Sequence, residues 1–321
     1  MTDTPDYSRL IDAETWAFIR ETDRWYPPET ATFTVAEQRR VYDAMCRAFH
    51  YPYPPGLTVR DESLGGVPCR IYTPAGDTPP PATVVYFHGG GFVVGGLQSH
   101  DAICAELAHG SGLKVVSADY RLAPEHRHPA HFDDALAVTR AVAAGLPAPM
   151  RLVLAGDSAG GNLAAAVAHR LRDQGGPQID GLVLIYPGLG GPLDRGSALR
   201  HAHAPMLTLA DVEFYRTIRF GPEGPHDGDP TAWPLADRNF AGLPPTLIHA
   251  AECDPLADDG QLYAQAIHAA GGSAHSVVDA GLVHGHLRAR HTVARARQSF
   301  AAVTEAIAAL GRGEIPWRAA L

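Results

Sequence analysis

Cysteine is scarce and scattered. Cys46, Cys69, Cys104 and Cys253 show no CxxC spacing, which excludes a disulfide framework and a zinc knuckle and leaves reduced structural thiols. No uninterrupted apolar run approaches the ~20 residues of a membrane span. The opening stretch "MTDTPDYSRLIDAETW" carries early acids and lacks the apolar centre of a secretory leader, so a cytoplasmic location is expected. No basic run interrupts a chain of net charge −9 and pI about 6.0, so a nucleic-acid-binding surface is not expected. Repeats and low-complexity tracts are also missing.

What is present is a globular composition. The 321 residues are 45% apolar and 19% charged, enough for one large core or a core with a small accessory lobe. The 33 glycines and 27 prolines are dispersed, as many tight connections require. From about residue 57, short apolar runs alternate with longer amphipathic ones. The expected strands are 69–74, 82–87, 113–120, 152–156, 181–187, 246–251 and 274–280. Helix-length segments at 100–109, 130–144, 160–173, 258–270 and 291–310 fall between or after them. Runs such as "VVYF" and "LVLI" are apolar on both faces of the pleat, as parallel strands covered by helices must be. The expected class is α/β.

Two segments stand outside this alternation. Residues 1–55 read as helical: Thr34 and Glu37 are spaced as a capping box, Val35, Val41, Met45 and Phe49 recur near helical spacing, and "YPYPPG" then breaks the chain. A turn-rich insertion follows the strand ending at Tyr186-Pro187 and runs into an expected helix at 208–220. Residues 1–55 and about 188–235 are expected to form a cap over one rim of the sheet, the rest of 56–321 being the catalytic domain; a disordered insertion is the alternative.

Chemistry concentrates at a few motifs. Gly156-Asp157-Ser158-Ala159-Gly160 is a G-x-S-x-G pentapeptide between an apolar strand and an alanine-rich helix. A serine on such a turn needs a strained backbone, and glycines two residues before and after it remove the side chains that would collide. The helix after Ser158 aims free N–H groups and a positive dipole end at it. A serine hydroxyl needs a base, an orienting carboxylate and an oxyanion stabiliser. His88-Gly89-Gly90-Gly91 follows a strand and lets bare backbone approach a ligand, with the Ala159 N–H as a further donor; it has neither GxGxxG spacing nor the P-loop Lys-Ser/Thr. Asp254 follows a later strand and is the preferred carboxylate, with Glu252, Asp258 and Asp259 as rivals; the last two read as first-turn acids of a helix. Beyond the last strand His284, followed by glycine, is preferred as base over His286, for which a pocket-wall or surface position is the other reading.

Other groupings carry less. Ser99, His100 and Asp101 are consecutive and cannot face one another on a helix, so they read as the start of the helix that follows. The histidines of "EHRHPAH" and "RHAHA" lack HExxH or clustered ligand spacing; no metal site is expected, and they read as surface and capping residues.

HGGG at 88–91, "DYRLAPEH" at 119–126, "GDSAGGN" at 156–162, "DPLADD" at 254–259 and "HGH" at 284–286 together resemble the hormone-sensitive lipase family of α/β-hydrolases, the bacterial family IV carboxylesterases, in their GDSAG branch. The resemblance covers about residues 55–310. It implies a doubly wound, mostly parallel sheet with a helical cap over the C-terminal strand edge, and hydrolysis of short- to medium-chain carboxylic esters through an acyl-enzyme. By position, it implies Ser158 as nucleophile, Asp254 as orienting acid, His284 as base, and Gly90, Gly91 and Ala159 as oxyanion donors, with no cofactor. A homodimer through the last strand, "AHSVVDA", is implied by analogy. An amidase or peptidase with the same residues, or a non-catalytic ligand receptor, are the alternatives. One departure is plain: the family reads His-Gly-Phe where this chain has His284-Gly285-His286.

Overall fold

A computed structural model describes residues 5–27, 30, 32–76, 79–222, 224 and 228–317. Eight strands form one sheet: β1 Leu57–Leu64, β2 Val67–Pro74, β3 Ala82–Phe87, β4 Lys114–Ala118, β5 Arg151–Asp157, β6 Gly181–Ile185, β7 Thr246–Cys253 and β8 Ala274–Val283. Their order is β1-β2-β4-β3-β5-β6-β7-β8. The two pairings that involve β2 are antiparallel, and every other pairing is parallel. The centre behaves as its sequence demands: β3 and β6 are buried at every position, so helices must cover both faces.

Helices α4 Asp101–Ser111 and α10 Ala294–Arg312 cover one face. There Ile103, Leu107, Val303, Ile307 and Leu310 pack on Val84, Tyr86, Val153 and Val183. Helices α5 Ala130–Ala144, α6 Ala159–Asp173 and α9 Ala257–Ala269 cover the other, where Phe132, Val138, Leu163, Val167 and Ile267 meet Val85, Phe87, Leu154 and Leu184. This is the doubly wound arrangement of the α/β-hydrolase fold. Since β3, β5, β7 and β8 are parallel, their C-terminal ends open on the same side of the sheet.

Above that side lies a third apolar cluster. Helices α1 Tyr7–Leu10, α2 Ala13–Asp23 and α3 Val35–Ala48 lie here: α2 contributes Phe18 and Ile19, α3 Met45, and the residues just after α1 and α3 are Ile11 and Phe49. These pack against Leu282, Val283, Ala289, Val293 and Ala296 from the end of β8 onward. Thr34 and Glu37 close the capping box of α3. The insertion carries α7 Ser197–Arg200 and α8 Leu209–Phe220; Tyr215 and Ile218 of α8 pack against the same cluster, and α8 begins with a second capping box formed by Thr208 and Asp211. Of the two expected cap segments, residues 1–4, 28, 29, 31, 223 and 225–227 lie outside the described residues. Strand β1 was not expected; it is a largely exposed, acid-containing edge paired on one side only.

Candidate active site

Ser158 sits where β5 hands over to α6, with φ 53° and ψ −118°, a backbone region that costs a side-chain-bearing residue about 1–3 kcal/mol. The turn is held by the Ser158 N–H donating to the Ile185 carbonyl at 2.8 Å. Its tightness dictates the glycines. A Cβ on Gly156 would lie 2.5 Å from the Gly160 carbonyl, and one on Gly160 would overlap the Phe87 carbonyl oxygen.

The Ser158 hydroxyl lies 2.9 Å from His284 Nε2, and His284 Nδ1 lies 2.6 Å from Asp254 Oδ2. Asp254 accepts, so Nδ1 carries the proton and Nε2 is free to receive the serine hydrogen. Asp254 follows β7 directly, is fully buried, and is fixed by the Leu256 N–H donating to Oδ1 at 2.8 Å. His284 follows β8 directly, and the Tyr186 ring packs on it with centroids 4.8 Å apart. The rivals are engaged elsewhere: Glu252 accepts the Gly281 N–H at 2.6 Å, and Asp258 accepts the Ser197 N–H at 2.8 Å.

Gly90 and Gly91 form a left-handed turn after β3, with φ 126° and 60°. Among the described residues, the N–H groups of Gly90, Gly91 and Ala159 have no hydrogen-bond partner. Gly89 is different, since its N–H donates to Asp157 Oδ1 at 2.9 Å. Asp157 also accepts from Tyr86 at 2.8 Å, from His100 Nε2 at 3.3 Å and from Tyr186 at 3.4 Å. Burial raises its pKa, but the charges of His100 and Arg288 and the hydrogen bonds it receives outweigh that and hold it well below the carboxylate range. His88 stacks on Tyr120 at 4.2 Å and donates from Nδ1 to the Gly89 carbonyl at 2.8 Å. Burial, reinforced by the field of His100, pushes its pKa down to about 3.

These groups face a cavity of about 840 Å³. Tyr26, Tyr42 and Met45 wall it on the N-terminal side; Leu207, Tyr215 and Trp233 wall it on the insertion side.

Several sequence expectations need correction. His286 is neither on the surface nor on the cavity wall: it is fully buried, donates from Nδ1 to the Val283 carbonyl at 3.1 Å, and meets Ser299 Oγ through Nε2 at 3.1 Å. Burial holds its pKa down to about 4. His131 and His201, expected as surface or capping residues, are buried, because His131 packs against the Phe92 ring and His201 pairs with the Tyr7 hydroxyl at 3.1 Å. Asp258 and Asp259 are first-turn acids of α9, as expected, but Asp259 does more than favour the helix dipole. Its carboxylate is buried, accepts from the Leu189 and Gly191 N–H groups, and is pushed by burial up to about 7. Ser99 to Asp101 do start a helix, as expected, with His100 at the N-cap of α4; its side chain turns inward to Asp157. Arg219, which the sequence did not flag, is buried with its guanidinium 3.6 Å over the Phe92 ring. Among the described residues, no three His, Cys, Asp or Glu side chains gather as a metal site would need, and no helix is long and apolar enough to cross a membrane.

Sheet order, strand-to-helix serine turn and imidazole-carboxylate pair define the α/β-hydrolase class. Comparison with protein families matches residues 84–288 to a family of α/β hydrolase fold. The chain is 37% identical over 296 residues to the carboxylesterase NlhH of Mycobacterium tuberculosis, covering 88% of this chain and 89% of that protein. It is 36% identical over 262 residues to the ethyl acetate hydrolase of Pseudomonas putida, covering 78% and 80%. Among solved structures, the hyperthermophilic esterase of Pyrobaculum calidifontis superposes with a TM-score of 0.83 at 30% identity, covering 93% and 98%. The chain therefore belongs to this α/β hydrolase family, in its hormone-sensitive lipase-like branch.

Proposed function

We propose that the chain is a carboxylic ester hydrolase that works through an acyl-enzyme on Ser158. The observation that carries this reading is the Ser158–His284–Asp254 hydrogen-bonded chain opening on a cavity beside three unpartnered N–H groups. His284 Nε2 takes the Ser158 proton as Oγ bonds to the ester carbonyl carbon. The carbonyl oxygen becomes an oxyanion and accepts from the N–H groups of Gly90, Gly91 and Ala159. On collapse the carbon–alkoxide bond breaks, and the alkoxide leaves with the proton from Nε2. Water then gives a proton to Nε2, attacks the acyl carbon, and releases the acid while Ser158 recovers its hydrogen. Asp254 stays ionised and keeps the proton on Nδ1. No step needs a metal or an organic cofactor.

Residues 1–55 and about 188–235 act as the cap that excludes water from this chemistry. A cavity of about 840 Å³ and the ethyl acetate hydrolase relative both support short to medium acyl groups. Four buried free thiols fit a reducing cytoplasm, and the edge strand β8, with Val278 52% exposed, is the surface proposed for a homodimer.

The test is a p-nitrophenyl ester series from acetate to palmitate with wild type and Ser158→Ala. Maximal activity is expected at or below octanoate, with near-total loss in the variant and an intact circular dichroism spectrum. An organophosphate adduct should map to the peptide holding Ser158. Full activity of Ser158→Ala would refute the nucleophile.

A further inference from the structure

Arg288 is a buried cation that touches the Tyr42 ring and the Cys46 thiol but, among the described residues, no carboxylate. It lies four residues after His284, in the short helical turn His286–Ala289, is 8% exposed, and lines the cavity. Its Nη2 donates to the Tyr42 hydroxyl, and the guanidinium lies 5.1 Å from the centroid of that ring. Nε has no hydrogen-bond partner, and among the described residues Arg288 forms no ion pair. The carboxylate whose field it feels, Asp157, is occupied by Tyr86, Gly89, His100 and Tyr186. Buried charges are ordinarily paired, since leaving one unmatched costs several kcal/mol.

Two phenols line the same cavity as Arg288. They are Tyr26 and Tyr215, and among the described residues neither hydroxyl makes a hydrogen bond. The Tyr215 ring also packs against Gly91, so close that a Cβ there would lie 2.5 Å from it. A cation with an unpartnered Nε–H and two unpartnered phenol O–H groups thus line the cavity onto which the loop proposed to hold the ester carbonyl opens. That donor set matches a carboxylate, an acceptor on both oxygens.

We propose that Arg288, with the hydroxyls of Tyr26 and Tyr215, is an anion-binding subsite, and that the favoured substrates are esters whose acyl or alcohol half ends in a carboxylate. This rests on the ester hydrolase reading and narrows its substrate class.

The test compares matched pairs on the wild-type protein. One arm sets p-nitrophenyl hydrogen adipate against p-nitrophenyl hexanoate; the other sets 3-acetoxypropanoate against butyl acetate, followed by pH-stat. Hydrolysis of the neutral esters tests the ester hydrolase reading alone. In at least one arm the carboxylate ester should match or exceed its neutral partner in kcat/KM, the gain appearing mainly in KM. In Arg288→Met the anionic-to-neutral ratio should fall by about tenfold or more, and Arg288→Lys should recover part of it. Neutral esters cleaved while both carboxylate esters are poorer by about tenfold or more would overturn the subsite and leave the hydrolase reading standing. A ratio unchanged in Arg288→Met would overturn it equally. If that variant does not fold, the wild-type ratios decide.

Discussion

The carboxylate of Asp157, one residue before Ser158, accepts the backbone N–H of Gly89 at 2.9 Å. The strand carrying the serine therefore fixes the loop that presents Gly90 and Gly91, and the two halves of the proposed machinery share one hydrogen bond. Asp157→Asn keeps the shape but brings an amide donor to a site where every partner already donates. Its kcat on a short-chain p-nitrophenyl ester should fall about 10- to 100-fold with KM little changed, as expected when transition-state donors are displaced. A kcat equal to wild type would separate Asp157 from the loop's function.

Arg219 of α8 ties the insertion to the body of the protein. It lies 3.6 Å over Phe92 and donates to His131 Nε2 at 3.1 Å, to the Ala232 carbonyl at 3.2 Å and to Asn162 Oδ1 at 3.3 Å. Burial without a paired acid pulls its pKa down to about 9. Arg219→Ala should lose the desolvated cation–π contact, its packing and three hydrogen bonds, lowering stability by about 3 kcal/mol in urea unfolding. Arg219→Lys should recover less than half, because a point charge cannot replace the planar fork. An unshifted urea midpoint in Arg219→Ala would contradict this anchoring role.

Acid should unfold the protein steeply. His88, His169 and His286 are held by burial to about 3, 4 and 4, and His131 lies well below the ordinary 6.5. The unfolded chain protonates these rings near 6.5 while the folded one keeps them neutral. Their contribution is therefore complete above pH 6.5 and is lost as pH falls toward about 4, by up to about 1.4 kcal/mol per pH unit for each extra proton. Asp259 works in the opposite sense. Pushed up to about 7, it holds a proton that the unfolded carboxyl releases above 3.8, so its contribution fades as pH rises from 3.8 to 7. Asp23, Asp43 and Asp119 are also raised by burial, but the four histidines, joined at the acid end by the lowered carboxyls of Asp157 and Asp279, outweigh them, and the denaturant midpoint should drop sharply between pH 6.5 and 4. A flat midpoint across that window would count against neutral buried imidazoles.

His286 allows this to be checked at one residue. Ser299 Oγ lies 2.7 Å from Asp279 and 3.1 Å from His286 Nε2, yet it has one hydrogen to give. His286→Phe keeps a ring against Tyr186 and leaves the Ser299 proton to Asp279. The slope of stability against pH between 6.5 and 4 should become shallower by about 1.4 kcal/mol per pH unit. An unaltered slope would place the acid sensitivity elsewhere.

The central strands were legible because β3, β5 and β6 are apolar on both faces, and the motifs because glycine spacing leaves few alternatives at a cramped turn. Strand β1 escaped because "LTVRDESL" is mostly exposed and owes its shape to pairing with β2. The side chains whose tertiary roles the sequence did not show share a cause. His100, His131, Asp259 and Arg219 acquire their roles from partners distant in sequence: Asp157, Phe92, Leu189 and Asn162. Local periodicity records which face is buried, not which polar group waits there.

The third apolar cluster also has a history in time. Ile11, Phe18, Ile19 and Met45 find their partners on Leu282, Val283 and Val293, with Glu14 accepting the Ala294 N–H and Asp12 pairing with Arg295. A ribosome makes those partners long after these helices. Until β8 and α10 exist, α2 and α3 lack much of the surface they dock on, and their apolar faces stay open to wrong contacts in the growing chain.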